Sequence, residues 1–424
     1  MQTAPFVDRL VTRVQADKNV PALTAAVFRD GAVQHVATAG TTPAPGAGLQ
    51  YRIGGITKTF TAAVVLRLRD EGHLALDDLL YRHIPGTPLG GITLRQLLSH
   101  TSGLQREPDG AWWQRCPGVG LEAFLDRLGP DQAARPRYHY SNLAYGLLGA
   151  VVTRITGMDW TDAVKKHLLE PLALRRTTYL PEGPYTPGYV AHPWHGTLRE
   201  EPVHDTRAMA PAGQLWSTAS DLSRWGAFLA DPDPAVLDRT TLDEMCSPVA
   251  VHDLDAWTGG HGLGLQLWRR GERVVVGHTG AAPGYGCALV VHRPTRTGVV
   301  VLANTFRKNV AEDLALELLA GVCDREPLPA VPWRPAVVPP QDLVPLTGRW
   351  WWMGREHESR WNGTELLLGP TGEEPWRFAA DGVDRWRGRG GEYDGEALKV
   401  LRDAGGQVIA LDVATLLFTR DPGA

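Results

Sequence analysis

Gly54-Gly55-Ile56-Thr57-Lys58 opens a run in which Phe60, Ala63, Val64 and Leu68 recur at helical spacing, until Gly72 supplies a stop. This predicts a core helix over 59–71 with Lys58 at its entrance. Residues three apart share a helix face, so the amine of Lys58 and any group carried by residue 55 lie on the same side. A serine at 55 would place a hydroxyl within reach of a lysine base. Position 55 is glycine. The residues three before the six lysines are Gln15, Gly55, Asp162, Ala163, Thr305 and Glu396, so no serine–lysine pair at this spacing occurs anywhere.

Working outward, 424 residues with 43% hydrophobic and 21% charged side chains make a globular chain long enough for more than one domain. With 43 basic against 47 acidic residues and no block of like charge, the footprint of a nucleic-acid binder is missing. Cys116, Cys246, Cys287 and Cys323 are scattered without CxxC spacing and read as reduced thiols. There is no GxSxG, P-loop, HExxH or GxGxxG, so neither a metal nor a nucleotide is expected and no cofactor is assigned. The first residues lack a basic and then apolar leader, and no stretch reaches the roughly 18 apolar residues of a membrane span. A cytoplasmic protein is expected.

A helix over 6–18 precedes a hairpin over 23–39, turned at Asp30-Gly31. Helical patterns follow over 94–99, 121–128, 143–156, 160–169 and 219–229. The β-branched runs 263–268, 273–276, 287–292 and 298–303 read as strands of one sheet. Seven prolines between Pro327 and Pro345 predict an extended linker. The expected division is therefore 1–326, a linker over 327–345, and 346–424. The last segment holds Trp350, Trp351, Trp352, Trp361, Trp376 and Trp386 in short alternating runs, the pattern of a small antiparallel barrel.

Several further motifs follow in order. They are Ile92-Thr-Leu-Arg-Gln-Leu-Leu-Ser-His-Thr-Ser-Gly-Leu104, Tyr140-Ser141-Asn142, Gly213 to Leu222, and His278-Thr279-Gly280. Together they resemble the penicillin-binding-protein-like serine hydrolases, the superfamily of class C β-lactamases and DD-peptidases, over residues 6–325. The resemblance implies an α/β (α+β) fold: an antiparallel sheet flanked by helices, with an all-α lobe. By the same resemblance the C-terminal barrel is lipocalin-like.

Carried onto this chain, the resemblance puts Gly55 where the nucleophilic serine belongs and makes Lys58 its base. Tyr140 shuttles a proton, Asn142 bonds the substrate chain, and His278 takes the first place of the usual Lys-Thr-Gly. The amides of Gly55 and Ala281 form the oxyanion hole. Substrate walls are assigned to Trp112, Trp113, Gln214, Leu215, Trp216, Thr279, Gly280 and Tyr285. On their own, Tyr140 would be a half-buried aromatic, Asn142 a helix cap, and residues 99–102 a helix end with a structural turn.

With no leader and a histidine replacing the cationic lysine, the acyl donor is expected to lack a free carboxylate. The chain then looks most like the penicillin-binding-protein-type thioesterases, which take a nonribosomal peptidyl thioester from a peptidyl carrier protein and release a head-to-tail macrolactam. In that family the acylating residue is typically a D-amino acid. Alternatives that share these motifs are a cytosolic D-aminopeptidase, a DD-peptidase-like enzyme or an esterase; Gly55 alone supports a non-catalytic peptide-binding pseudoenzyme. A monomer with neither nucleic-acid nor membrane partner is expected.

Overall fold

The computed structural model describes residues 1–41, 46–110, 117–328 and 341–423, which fall into two compact units, Met1–Leu328 and Pro329–Ala424. Trp112, Trp113, Cys116 and most of the proline-rich segment lie outside the described residues.

In the first unit the strands are β1 (Ala22–Arg29), β2 (Ala32–Gly40), β3 (Tyr51–Arg52), β4 (Tyr189–Ala191), β5 (Leu198–Glu200), β6 (Trp216–Ser217), β7 (Ala250–Val251), β8 (Gly259–His261), β9 (Gln266–Arg270), β10 (Arg273–Ala282), β11 (Tyr285–His292) and β12 (Thr297–Ala303). Eight of them form one antiparallel sheet in the order β2-β1-β12-β11-β10-β9-β8-β7. Asp30 and Gly31 turn β1 into β2 with φ of 50° and 79°, the left-handed pair a tight hairpin needs.

Both faces of this sheet are covered. Val299 and Val301 of β12 meet the helices Ala4–Asp17 and Val310–Arg325, while Val300 and Leu302 face a second core shared with Thr57–Asp70, Asn142–Thr156 and Ala219–Ala230. That is why β11 and β12 read as continuous apolar runs instead of alternating ones. The expected strand 273–276 runs on to Ala282, and its His278 to Ala281 stretch packs against the Ile53–Gly55 turn.

The helix Asn142–Thr156 is capped by Ser141, whose Oγ accepts from the Ala144 N–H at 3.1 Å and donates to the Gln105 carbonyl at 2.6 Å. Asn142 is the first helical residue and not the cap. Replacing Ser141 by Ala removes the cap and strands a buried carbonyl, so urea unfolding should show a loss of about 1–2 kcal/mol.

In the second unit eight strands, from Gly348–Trp352 to Leu416–Thr419, close into an antiparallel barrel. Trp350, Leu366, Leu368, Phe378, Leu398, Leu411 and Phe418 fill it. The barrel's core already includes Leu343 and Leu346, upstream of or at the boundary expected from proline spacing, because the turn Val344–Leu346 folds back onto it. Arg420 lies 3.7 Å from the Trp350 ring and donates to the carbonyls of Pro345 and Thr347. Two of the tryptophans, Trp350 and Trp386, are thus spent on the barrel's own core.

Candidate active site

Two glycines bring the nucleophile position against the sheet. Gly54 has φ +53°, and a Cβ there would stand 2.7 Å from both the N and O of Ala281, so no side chain fits between the turn and β10. The turn Gly54–Ile56 then runs directly into the helix Thr57–Asp70. It is held from behind: Ile53 N–H donates to the Leu215 carbonyl at 2.9 Å, and Leu215 N–H donates to Thr57 Oγ1 at 3.2 Å.

Gly55, Lys58, Tyr140, Asn142, Thr279 and Ala281 line one cavity of about 320 Å³. Lys58 is 1% exposed and donates to the Ala212 carbonyl at 2.6 Å, with its Nζ 4.9 Å from the centroid of Tyr140 and 5.5 Å from that of Tyr145. Burial lowers its pKa to about 7, with Glu107 opposing and Arg106 assisting. An ammonium here is only marginally stable, which is what a base at neutral pH requires. Tyr140 is pushed far up by burial and stays a neutral phenol. Its Oη lies 3.1 Å from the position a Cβ on residue 55 would take. Asn142 Nδ2 donates to Glu107 Oε1 at 2.7 Å.

β9 stops pairing with β10 at Gly277, so the edge from His278 to Ala282 is free of a partner strand. Thr279 N–H points to that open side, where Gln266 Oε1 accepts it at 2.7 Å. Alternate residues of a strand direct their amides to the same edge, so Ala281 N–H faces the Gly54–Gly55 turn. His278 is 1% exposed; its Nδ1 donates to the Thr279 carbonyl at 2.5 Å, leaving Nε2 without a partner among the described residues. Burial, then Lys58, lowers its pKa to about 3. It is therefore neutral, and β10 offers no fixed cation at this place.

The Beta-lactamase family matches residues 7–322, three quarters of the chain and the whole span that builds this cavity. The chain belongs to the Beta-lactamase family. Residues 339–420 match a second family, Domain of unknown function (DUF7586). Penicillin-binding protein 4 of Amycolatopsis lactamdurans is 30% identical over 371 residues, covering 79% of this chain and 94% of that protein. Beta-lactamase-like protein 2 of Dictyostelium discoideum is 30% identical over 268 residues, 59% of this chain, and the match spans about half (48%) of that protein. Among solved structures, a D-stereospecific amidohydrolase from Streptomyces sp. superposes with a TM-score of 0.64 at 25% identity, covering 74% of this chain and 98% of that one. SurE is similar with a TM-score of 0.63 at 25% identity, covering 99% of this chain and 99% of that one. These place the chain among penicillin-binding-protein-like serine hydrolases.

Not every expected wall of this family member reaches the cavity. Gln214, Leu215 and Trp216 are buried behind the Gly54 turn; the Gln214 carboxamide is taken up by Arg52, Thr206 and the carbonyls of Tyr179 and His204. Tyr285 donates to the Thr186 carbonyl at 2.8 Å and is 3% exposed. Gly280 lets β10 approach Ile53, whose carbonyl would meet a Cβ at 2.0 Å. These five support the site's frame. Residues 99–102 end a helix as expected, but His100, with φ +59°, also stacks on Tyr140 at 4.4 Å and accepts the Ser141 N–H at 3.1 Å.

Arg106, Tyr138, His252, His261 and Gln266 line the cavity without having been singled out. Tyr138 was legible, two residues before Tyr140 in an extended segment. The others arrive through loop and sheet packing. Among the described residues no group of His, Cys, Asp and Glu is arranged to hold a metal ion, and no helix is long and apolar enough to cross a membrane.

Proposed function

We propose that this chain is built as a trans-acting thioesterase and peptide cyclase, which takes a peptidyl thioester from a peptidyl carrier protein and closes it into a head-to-tail macrolactam. The observation that carries this is the neutral, buried His278 beside a lysine whose pKa is about 7. The site holds a base, a phenol and an open amide, yet offers a free carboxylate no cation on β10, so an ester or thioester suits it better. SurE, similar over 99% of both chains, has a structure solved with D-Leu, which supports a D-configured acylating residue. The D-stereospecific amidohydrolase points the same way.

Gly55 leaves the chain as it stands without the hydroxyl. One observation favours a second reading, a peptide-binding protein with no turnover: the wall stands tight against Gly55, where a Cβ would lie 2.7 Å from the Thr279 carbonyl. Both readings meet one experiment. Gly55→Ser is given N-acetylcysteamine thioesters of peptides of five or more residues ending in a D- or an L-amino acid. Macrolactam should dominate with the D-terminated donor, since a folded-back amine reaches effective molarities of roughly 10⁵ M or more. The L-terminated donor should react at least about tenfold more slowly, because inversion turns its side chain toward the oxyanion wall. Hydrolysis of every peptide, or equal rates for both, would favour a simple esterase or peptidase.

A further inference from the structure

Tyr138 and His261 form a hydrogen-bonded pair in the cavity wall that acyl transfer does not use. His261 ends β8, is 1% exposed, and has its ring centroid 5.1 Å from that of His100, 5.8 Å from His252 and 6.2 Å from His278. Its Nδ1 lies 2.9 Å from Tyr138 Oη. Burial pushes the Tyr138 phenol up to about 12, so it keeps its hydrogen, and Nδ1 is the partner it has among the described contacts. Read with the phenol donating to Nδ1, the pair leaves the imidazole its own hydrogen on Nε2. The ring is neutral, because burial and the facing His278, His252 and Lys58 all oppose a charge on it. His261 Nε2 is buried with no partner among the described residues, in a side chain that lines the cavity.

A buried donor left unfilled by the protein is costly, and a ligand acceptor at that place recovers the loss. The acceptor must be uncharged. A neutral imidazole brings no charge to a carboxylate, Arg106 of the same cavity is already paired with Glu107 at 3.5 Å, and Lys58 serves as the uncharged base, so a carboxylate would be desolvated without compensation; an N–H cannot accept from an amine. We propose that Tyr138 donates to His261 Nδ1, and that the Nε2–H this tautomer provides is the subsite for an amide carbonyl of the peptide chain that trails from the acylating residue, with Tyr138 as its positioning residue. This rests on the acyl-transfer reading above.

Because Gly55 removes the nucleophile, the unsubstituted chain allows equilibrium binding to be measured without turnover. The probes are acetyl-glycyl-D-leucine methyl ester, two analogues, each with one amide replaced by a trans alkene that keeps the shape and lacks both the carbonyl oxygen and the N–H, and the two matching depsipeptides, which lack only the N–H and should show the same dependence on His261 as the parent. Calorimetry should show His261→Phe weakening the parent ester about tenfold, while one analogue binds both proteins within about twofold. His261→Gln, which keeps an N–H at similar reach, should recover most of the loss, and Tyr138→Phe should cost about two- to fivefold. Equal weakening of the parent and both analogues would reduce His261 to a structural role and overturn the subsite, as would an unchanged parent. If His261→Phe does not fold, the His261→Gln and Tyr138→Phe comparisons against the analogues decide. Failure of the unsubstituted chain to bind the parent ester counts instead against the acyl-donor reading, and takes the subsite with it.

Discussion

Gly55→Ser should turn a chain that forms no covalent adduct into one that is acylated by a peptidyl thioester, visible as a mass increase equal to the acyl group. The new hydroxyl would point from a Cβ lying 3.1 Å from Tyr140 Oη and 3.0 Å from His278 Cε1. Lys58, its neutral form already populated at pH 7, takes the hydroxyl proton as oxygen attacks the carbonyl carbon. The oxyanion meets the amides of residue 55 and Ala281, and collapse expels the thiolate, which is protonated through Tyr140. The gain has a structural cost. The same Cβ would stand 2.7 Å from the Thr279 carbonyl, which is itself hydrogen-bonded to His278 Nδ1 at 2.5 Å, so β10 must give by several tenths of an ångström. The variant should lose about 1–3 kcal/mol, a fall of several degrees in Tm by calorimetry, while gaining the reaction. A folded Gly55→Ser protein that never acquires acyl mass would end the acyl-transfer assignment.

The parts of this site that were legible from sequence are those set by local chemistry. Helical spacing put Lys58 and residue 55 on one face, Asp30-Gly31 announced its hairpin, and alternation announced the barrel. What escaped was set by neighbours distant in the chain. Gln214 sits in a motif that suggests a substrate wall, but its carboxamide is used up by Arg52 and Thr206, and a single sequence shows no such pairing. His261 stands in a Gly-rich run with no motif of its own. It reaches the cavity because β8 pairs with β9 beside β10. Asn142, assigned to the substrate chain by the resemblance, would on its own pass for a cap because it precedes the apolar run, but the cap is Ser141, whose oxygen accepts from the Ala144 N–H.

Lys58→Met in the Gly55→Ser background should lower the acylation rate by roughly 10² to 10⁴ with little loss of stability. The lysine is buried among Tyr140, Tyr145 and the Ala212 carbonyl, with burial as the main cause of its lowered pKa. In Gly55→Ser the rate should therefore rise with pH through about 7 and level off as the amine loses its proton; in Lys58→Met that limb should vanish. The same shift has a consequence for folding. An unfolded lysine titrates near 10.5, so between about pH 7 and 10 the unfolded chain holds a proton that the folded one has released. Stability must rise with pH across that window through this group. Methionine fills a similar volume and removes both the slope and the desolvation of a charge, which offsets the bond lost to the Ala212 carbonyl, so Lys58→Met should melt close to the Gly55→Ser parent at pH 7. The pairing of lost rate with largely retained stability marks a catalytic lysine; a large drop in Tm with most of the rate kept would mark a structural one.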